Sequence, residues 1–69
     1  MYRWKIDLIL KSGKELTVYH ESKTAKNSRI VAEEILDNVF RYTNFNNEDN
    51  TKAILVRLDE IASVTISAT

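Results

Sequence analysis

The chain has no cysteine and one glycine among its 69 residues, and each shortage closes off a chemistry. Without thiols there is no disulfide framework, no thiolate zinc site and no thiol nucleophile. One glycine is too few for a GxGxxG or GxxxxGK[ST] loop, which needs several positions free of a Cβ to bring backbone N–H groups against phosphate. The longest unbroken apolar run is only a few residues and the start, MYRWK, carries no hydrophobic stretch. The expectation is a cytoplasmic chain with neither signal peptide nor membrane span. Repeats and linkers are missing, and the only biased tract is the Asn-rich TNFNNEDN, so residues 1–69 read as a single domain. A chain of this length buries only about 60% of the surface its unfolded form exposes. Its core must be well packed, or completed by a partner.

Charge of either sign is also not in excess: ten Lys and Arg balance ten Asp and Glu. A dedicated nucleic-acid binder normally carries a basic surplus to replace counterions on phosphate. The distribution is uneven, however. Residues 1–29 hold seven basic and three acidic residues and residues 30–69 the reverse, so the halves carry +4 and −4. Halves lying side by side would offset each other, and head-to-tail or two-fold pairing of chains would do the same between molecules.

What is present is alternation. In YRWKIDLIL, residues Tyr2, Trp4, Ile6, Leu8 and Leu10 share one face, and Arg3, Lys5, Asp7 and Ile9 the other, the period of a half-buried strand. The next run places Leu16, Val18 and His20 inward. A two-residue turn would put these on the wrong face. A three-residue loop, Lys11-Ser12-Gly13, sets Leu8 opposite Leu16 and Ile6 opposite Val18, with Gly13 in the left-handed position of a G1 bulge. After HESKTAKNS the period becomes helical, with Ile30, Val31, Ala32, Ile35, Leu36, Val39 and Phe40 as the apolar stripe. Asn27 or Ser28 is placed to cap it, and Arg29, Glu33, Asp37 and Arg41 form the solvated row. The helix should end near Tyr42, leaving Phe45 alone in a polar loop, tucked onto the core edge or exposed as an anchor. The last third reads as a hairpin: Ile54, Val56 and Leu58, then Ala62, Val64 and Ile66, joined by Asp59-Glu60-Ile61 so that Leu58 faces Ala62 and Val56 faces Val64. The fold class expected is α+β, a four-stranded mainly antiparallel sheet (β-β-α-β-β) with one helix packed on one face.

With KSGKE and VRLDEIASVTIS placed in this way, the chain resembles small ββαββ proteins from low-GC Gram-positive bacteria and their phages. That resemblance implies a bacterial or phage setting and carries over no activity to any residue here.

Candidates for chemistry are few. His20, the only histidine, falls inward across from Trp4, as a ring packed on the indole or as a general base. Glu33 and Glu34 are neighbours on a helix and point apart, and Asp59 and Glu60 sit in a turn. Asn44, Asn46, Glu48 and Asn50 alternate as calcium ligands do, but the sixth position from Asn44 is Asp49 instead of glycine and the twelfth is Leu55 instead of glutamate. No catalytic, cofactor-binding or metal-ligating residue is therefore assigned, and no cofactor is expected. One helix covers one side of a sheet, which leaves the reverse face for a partner. The expectation is a non-enzymatic protein–protein interaction module, homodimeric, with an unidentified protein partner and no membrane role. Its candidate surface is Ile9, Tyr19, Leu55 and Phe45. The alternative is a nucleic-acid accessory protein using Arg3, Lys5, Lys11 and Lys14 of the first hairpin, with the aromatics as stacking surfaces. An enzyme acting on a small molecule would need a cleft around His20.

Overall fold

The computed structural model describes residues 2–36 and 42–69. Asp37, Val39, Phe40 and Arg41, assigned above to the helix, lie outside the described residues. The elements are β1 (Tyr2–Leu10), β2 (Glu15–Ser22), α1 (Ser28–Leu36), β3 (Tyr42–Asn46), β4 (Ala53–Arg57), a 3-10 turn at Leu58–Glu60, and β5 (Ile61–Ala68). The protein is thus α+β, with one α-helix among the described residues and an antiparallel sheet. That sheet has five strands instead of the four expected, in the order β4-β3-β2-β1-β5.

The first hairpin forms as its sequence requires. Leu8 pairs with Leu16 and Ile6 with Val18, and the turn closes through Gly13 N–H to the Leu10 carbonyl and Leu10 N–H to the Lys14 carbonyl, both at 2.8 Å. Gly13 has φ +91°, which a side chain disfavours. Nothing lies within 4 Å of where a Cβ would stand, so the cost of a substitution is that of the backbone angle alone. We expect Gly13→Ala to lower stability by about 1 kcal/mol, read as a shift in urea midpoint at unchanged slope; coincident curves would mean the turn tolerates a side chain at this angle.

The helix is capped by Asn27, whose Oδ1 accepts the Ile30 N–H at 3.0 Å. It presents Val31 and Ile35 to a core that also holds Trp4, Ile6, Leu8, Val18, Ala25, Phe45 and Val56. Arg29 and Glu33 form an exposed pair at 3.7 Å on the opposite side, worth only a few tenths of a kcal/mol.

The second half departs from expectation. Tyr42–Asn46 is a strand, and Phe45 lies on its inner face at 1% exposure; it is a core residue and not a loop anchor. Ile54–Leu58 and Ala62–Ile66 do not make a hairpin. β4 pairs with β3, matching Val56 with Thr43 and Phe45 with Ile54. β5 pairs with β1, matching Val64 with Leu8 and Ile66 with Ile6. Ala62 is the extra residue of a bulge, since Ile9 faces Ser63 while Leu10 faces Ile61. Ile54 and Val56, and Val64 and Ile66, keep their expected inward face, but Leu58 falls in the turn, Ala62 is exposed and Ile61 opens β5 instead of closing the connection.

A single 3-10 turn joins β4 to β5, although they are the two edges of the sheet. Laid flat, five strands would separate these edges by about 19 Å, four spacings of about 4.8 Å. Four Cα steps reach at most about 14 Å. The sheet is therefore rolled, with its concave side filled by the core and α1, and its convex side turned outward.

Candidate functional site

The convex face can be read strand by strand from the registers. One row crosses Ser67, Lys5, Tyr19, Asn46 and Ala53. Toward one end stands Arg3 opposite Glu21; on the outer pair of strands Asn44 stands opposite Leu55. Toward the other end stand Thr65, Asp7 and Thr17, then Ser63, Ile9 and Glu15. None of the described helix covers this face. Its large exposed hydrophobic residues are Leu55, 69% exposed, Tyr42, 49% exposed, and Ile9, 42% exposed.

The four residues expected to form one surface do not meet. Phe45 is on the concave side. Ile9 and Leu55 stand three strands apart. Tyr19 lies between them, but its ring is covered by the Arg3 guanidinium, 4.3 Å from the ring centroid. Two separate apolar points remain, one on β1 and one on β4.

Arg3 is also held from three other directions. Its Nε faces the Glu21 carboxylate at 3.9 Å, and its terminal nitrogen donates to the carbonyls of Asn47, at 3.4 Å, and Glu48. Arg3 thereby ties the β3–β4 turn down onto β1 and β2. The Asn-rich tract builds that turn. Asn47 Oδ1 accepts the Lys52 N–H at 3.0 Å, Asp49 Oδ1 accepts the Thr51 hydroxyl at 2.7 Å, and Asn50, at φ 60°, donates from Nδ2 to Glu21 at 2.7 Å. The Thr51 bonds hold the Asp49 carboxyl below its ordinary value. Of the side chains that alternate like calcium ligands, Asn50 is engaged by Glu21, while the intervening Asn47 and Asp49 build the turn. No group of three or more metal-ligating side chains occurs among the described residues.

The basic residues of the alternative reading do not form a track. Arg3 is engaged as above, Lys5 stands between Tyr19 and Ser67, and Lys11 and Lys14 belong to the turn at the far end of the hairpin. Between them on the same face lie Asp7 and Glu15. These two carboxylates line a shallow open groove of about 210 Å³ with Ile9, Thr17 and Thr65, and Asp7 accepts a hydrogen bond from Thr17 at 2.9 Å.

Among the described residues, the concave side holds a cluster with catalytic residue types. His20 faces Trp4 across the ladder, as the sequence indicates, and its Nε2 lies 2.8 Å from Glu34 Oε2. The other Glu34 oxygen accepts from Ser22 at 2.8 Å and Thr24 at 3.2 Å. Ser22 Oγ in turn accepts the N–H groups of Thr24 and Ala25. The hydrogen bond from His20, foremost, with those from Ser22 and Thr24, holds the Glu34 carboxyl below its ordinary value against some desolvation. A nucleophilic triad needs the ring nitrogen against the hydroxyl, with the carboxylate behind the ring. Here the carboxylate stands between the two, and the hydroxyl oxygen is already an acceptor for two backbone N–H groups. The arrangement fastens α1 to the end of β2. Sequence spacing missed Glu34 because its partners are 10 to 14 residues away and come into reach only when the chain reverses between β2 and α1.

No helix among the described residues is long and apolar enough to cross a membrane. No protein-family model, curated protein or solved structure matches the chain.

Proposed function

We propose that this chain is a non-enzymatic interaction module that self-associates and docks another protein on the convex face of its sheet. The observation that carries this reading is the division of labour between the two faces. On the concave side, His20, Ser22 and Glu34 are consumed in a clamp. The convex side is uncovered by any described element, and sets Leu55 and Ile9 among Ser, Thr and charges of both signs, the mixture of apolar points and polar surround common at protein interfaces. A bacterial or phage setting belongs to the same proposal. Nucleic-acid binding is less well supported, because Asp7 and Glu15 interrupt the basic residues and would repel a phosphate backbone.

The test is capture from a nuclease-treated lysate, comparing the wild-type chain with Leu55→Glu and Ile9→Lys. Both side chains are exposed, so each variant should keep its far-UV circular dichroism and melting temperature. A protein retained by the wild type should be lost or weakened about tenfold by at least one of them, the effect of removing an interface anchor. Equal recovery by all three would remove the convex face from the proposal. Recovery of only nuclease-sensitive material would favour the basic hairpin instead.

A further inference from the structure

β5 is the least defended part of the molecule. It runs eight residues, Ile61–Ala68, as an edge strand with no charged side chain, in a chain that has no proline. Soluble proteins usually blunt such an edge with lysine, proline or brevity. The opposite edge, β4, is so treated: it is five residues long, ends in Arg57 and follows Lys52.

The register fixes what the β5 edge offers. Leu10 N–H is directed to β2, reaching the Lys14 carbonyl, and Lys11 N–H to β5, reaching the Glu60 carbonyl. By alternation, the odd residues of β1 direct their backbone groups to β5. Their partners Ser63, Thr65 and Ser67 face back, so Val64, Ile66 and Ala68 turn their N–H and C=O groups outward.

We propose that β5 pairs antiparallel with β5 of a second copy, about a two-fold axis at Thr65. This deepens the self-association reading above and rests on it. The choice of occupant follows from self-complementarity. In this register Val64 stands opposite Ile66 of the second copy and Ile66 opposite its Val64, and all four have outward backbone groups, so ladder bonds form at both pairs. The same register places the four aliphatic side chains together on the concave side, where Val64 and Ile66 are only half-buried in the single chain. On the convex side it sets Thr65 against Thr65 and Ser63 against Ser67. No like charges meet on the paired strands, and each chain presents the same strand to the other, as a closed two-fold dimer demands. A pairing shifted by two residues would keep the backbone match but oppose an aliphatic residue to Ala62 or Ala68. The result is one continuous ten-stranded sheet with both helices on the same side.

Because the native chain lacks cysteine, single thiols read the register directly. Across the axis, Thr65 and its counterpart form a non-hydrogen-bonded pair with Cα atoms about 4.5 Å apart, within disulfide reach. Ser63 and its counterpart are separated by about 13 Å or more, beyond it. The experiment is sedimentation of the wild-type chain from micromolar to millimolar concentration, with oxidant-driven cross-linking of Thr65→Cys and Ser63→Cys. Both positions are exposed, and circular dichroism verifies the folds. The expected result is a monomer–dimer equilibrium, with Thr65→Cys converted to a covalent dimer at least tenfold faster than Ser63→Cys. A dimer in which the two variants cross-link equally slowly would overturn β5 pairing while leaving self-association intact. Rings or filaments would assign β5 to a head-to-tail contact with β4 and overturn the two-fold proposal. A monomer throughout, with no cross-link, would remove both β5 pairing and self-association.

Discussion

Replacing Phe45 by alanine is expected to cost about 3–5 kcal/mol, the range for emptying a large aromatic site in a core. Phe45 is among the largest fully buried side chains, at 1% exposure, and sits opposite Ile54 on the concave side. For a chain of 69 residues, a total stability of about 3–10 kcal/mol is typical, so the variant should be partly or wholly unfolded at room temperature. The single tryptophan, Trp4, belongs to the same core and supplies the readout. Its emission should shift to longer wavelength in Phe45→Ala without denaturant, and any residual transition should fall at much lower urea. Phe45→Leu, which retains most of the apolar volume, should recover much of the loss. A loop residue on the surface would cost within about 0.5 kcal/mol, so a wild-type melt for Phe45→Ala would return this residue to the loop that its neighbours suggest.

The second large effect belongs to Trp4, and two substitutions separate its two contributions. The indole is 9% exposed, and its Nε1 donates to the Ala25 carbonyl at 3.1 Å. Ala25 is itself fully buried. Trp4→Ala removes packing and hydrogen bond together, for about 3–5 kcal/mol. Trp4→Phe keeps an aromatic ring and leaves a buried carbonyl without its donor, at about 1–3 kcal/mol. Both are read from urea curves followed by far-UV circular dichroism. The phenylalanine variant should also lose amide protection in residues 23–27, the connection that the indole pins. If Trp4→Phe unfolds with the wild type, the connection is held by Ser22 and Glu34 alone.

The sequence reveals those parts of the fold whose causes are local. The first hairpin is legible to the residue because Gly13 admits one turn geometry and that turn admits one register. A helix cap at Asn27 or Ser28 is legible for the same reason, and Asn27 is the one that accepts the Ile30 N–H. β3 is hidden because its alternation runs through Tyr42, Thr43, Asn44, Phe45 and Asn46, in which turn formers occupy three of the five places. Their propensity for loops is overridden by the burial of Phe45 and Thr43. β4 and β5 are recognisable as strands but not as partners. The alternation identifies a buried face and says nothing about which neighbour lies beside it, and the Leu58–Glu60 turn that redirects the chain has no glycine to mark it. At the surface, Ile9 and Leu55 are identifiable as outward residues. Their separation, and the capture of Tyr19 by Arg3, depend on strand order and so lie beyond any single segment.

The pairing of β1 with β5 bears on how the chain behaves while it is being made. Trp4 is matched with Ala68, a separation that spans nearly every other element, and contacts of such long range are slow to form. Pairing of β1 with β2 and of β3 with β4 can begin as each hairpin leaves the ribosome, but the strand that shields the side of Ile6 and Leu8 is translated after all of them. Until it arrives, β1 has a vacant edge, and on a crowded polysome the β5 of a neighbouring nascent chain fits it as well as the chain's own. Strand exchange between sister chains is then a direct competitor of correct folding, and slow emergence of β5 would favour it.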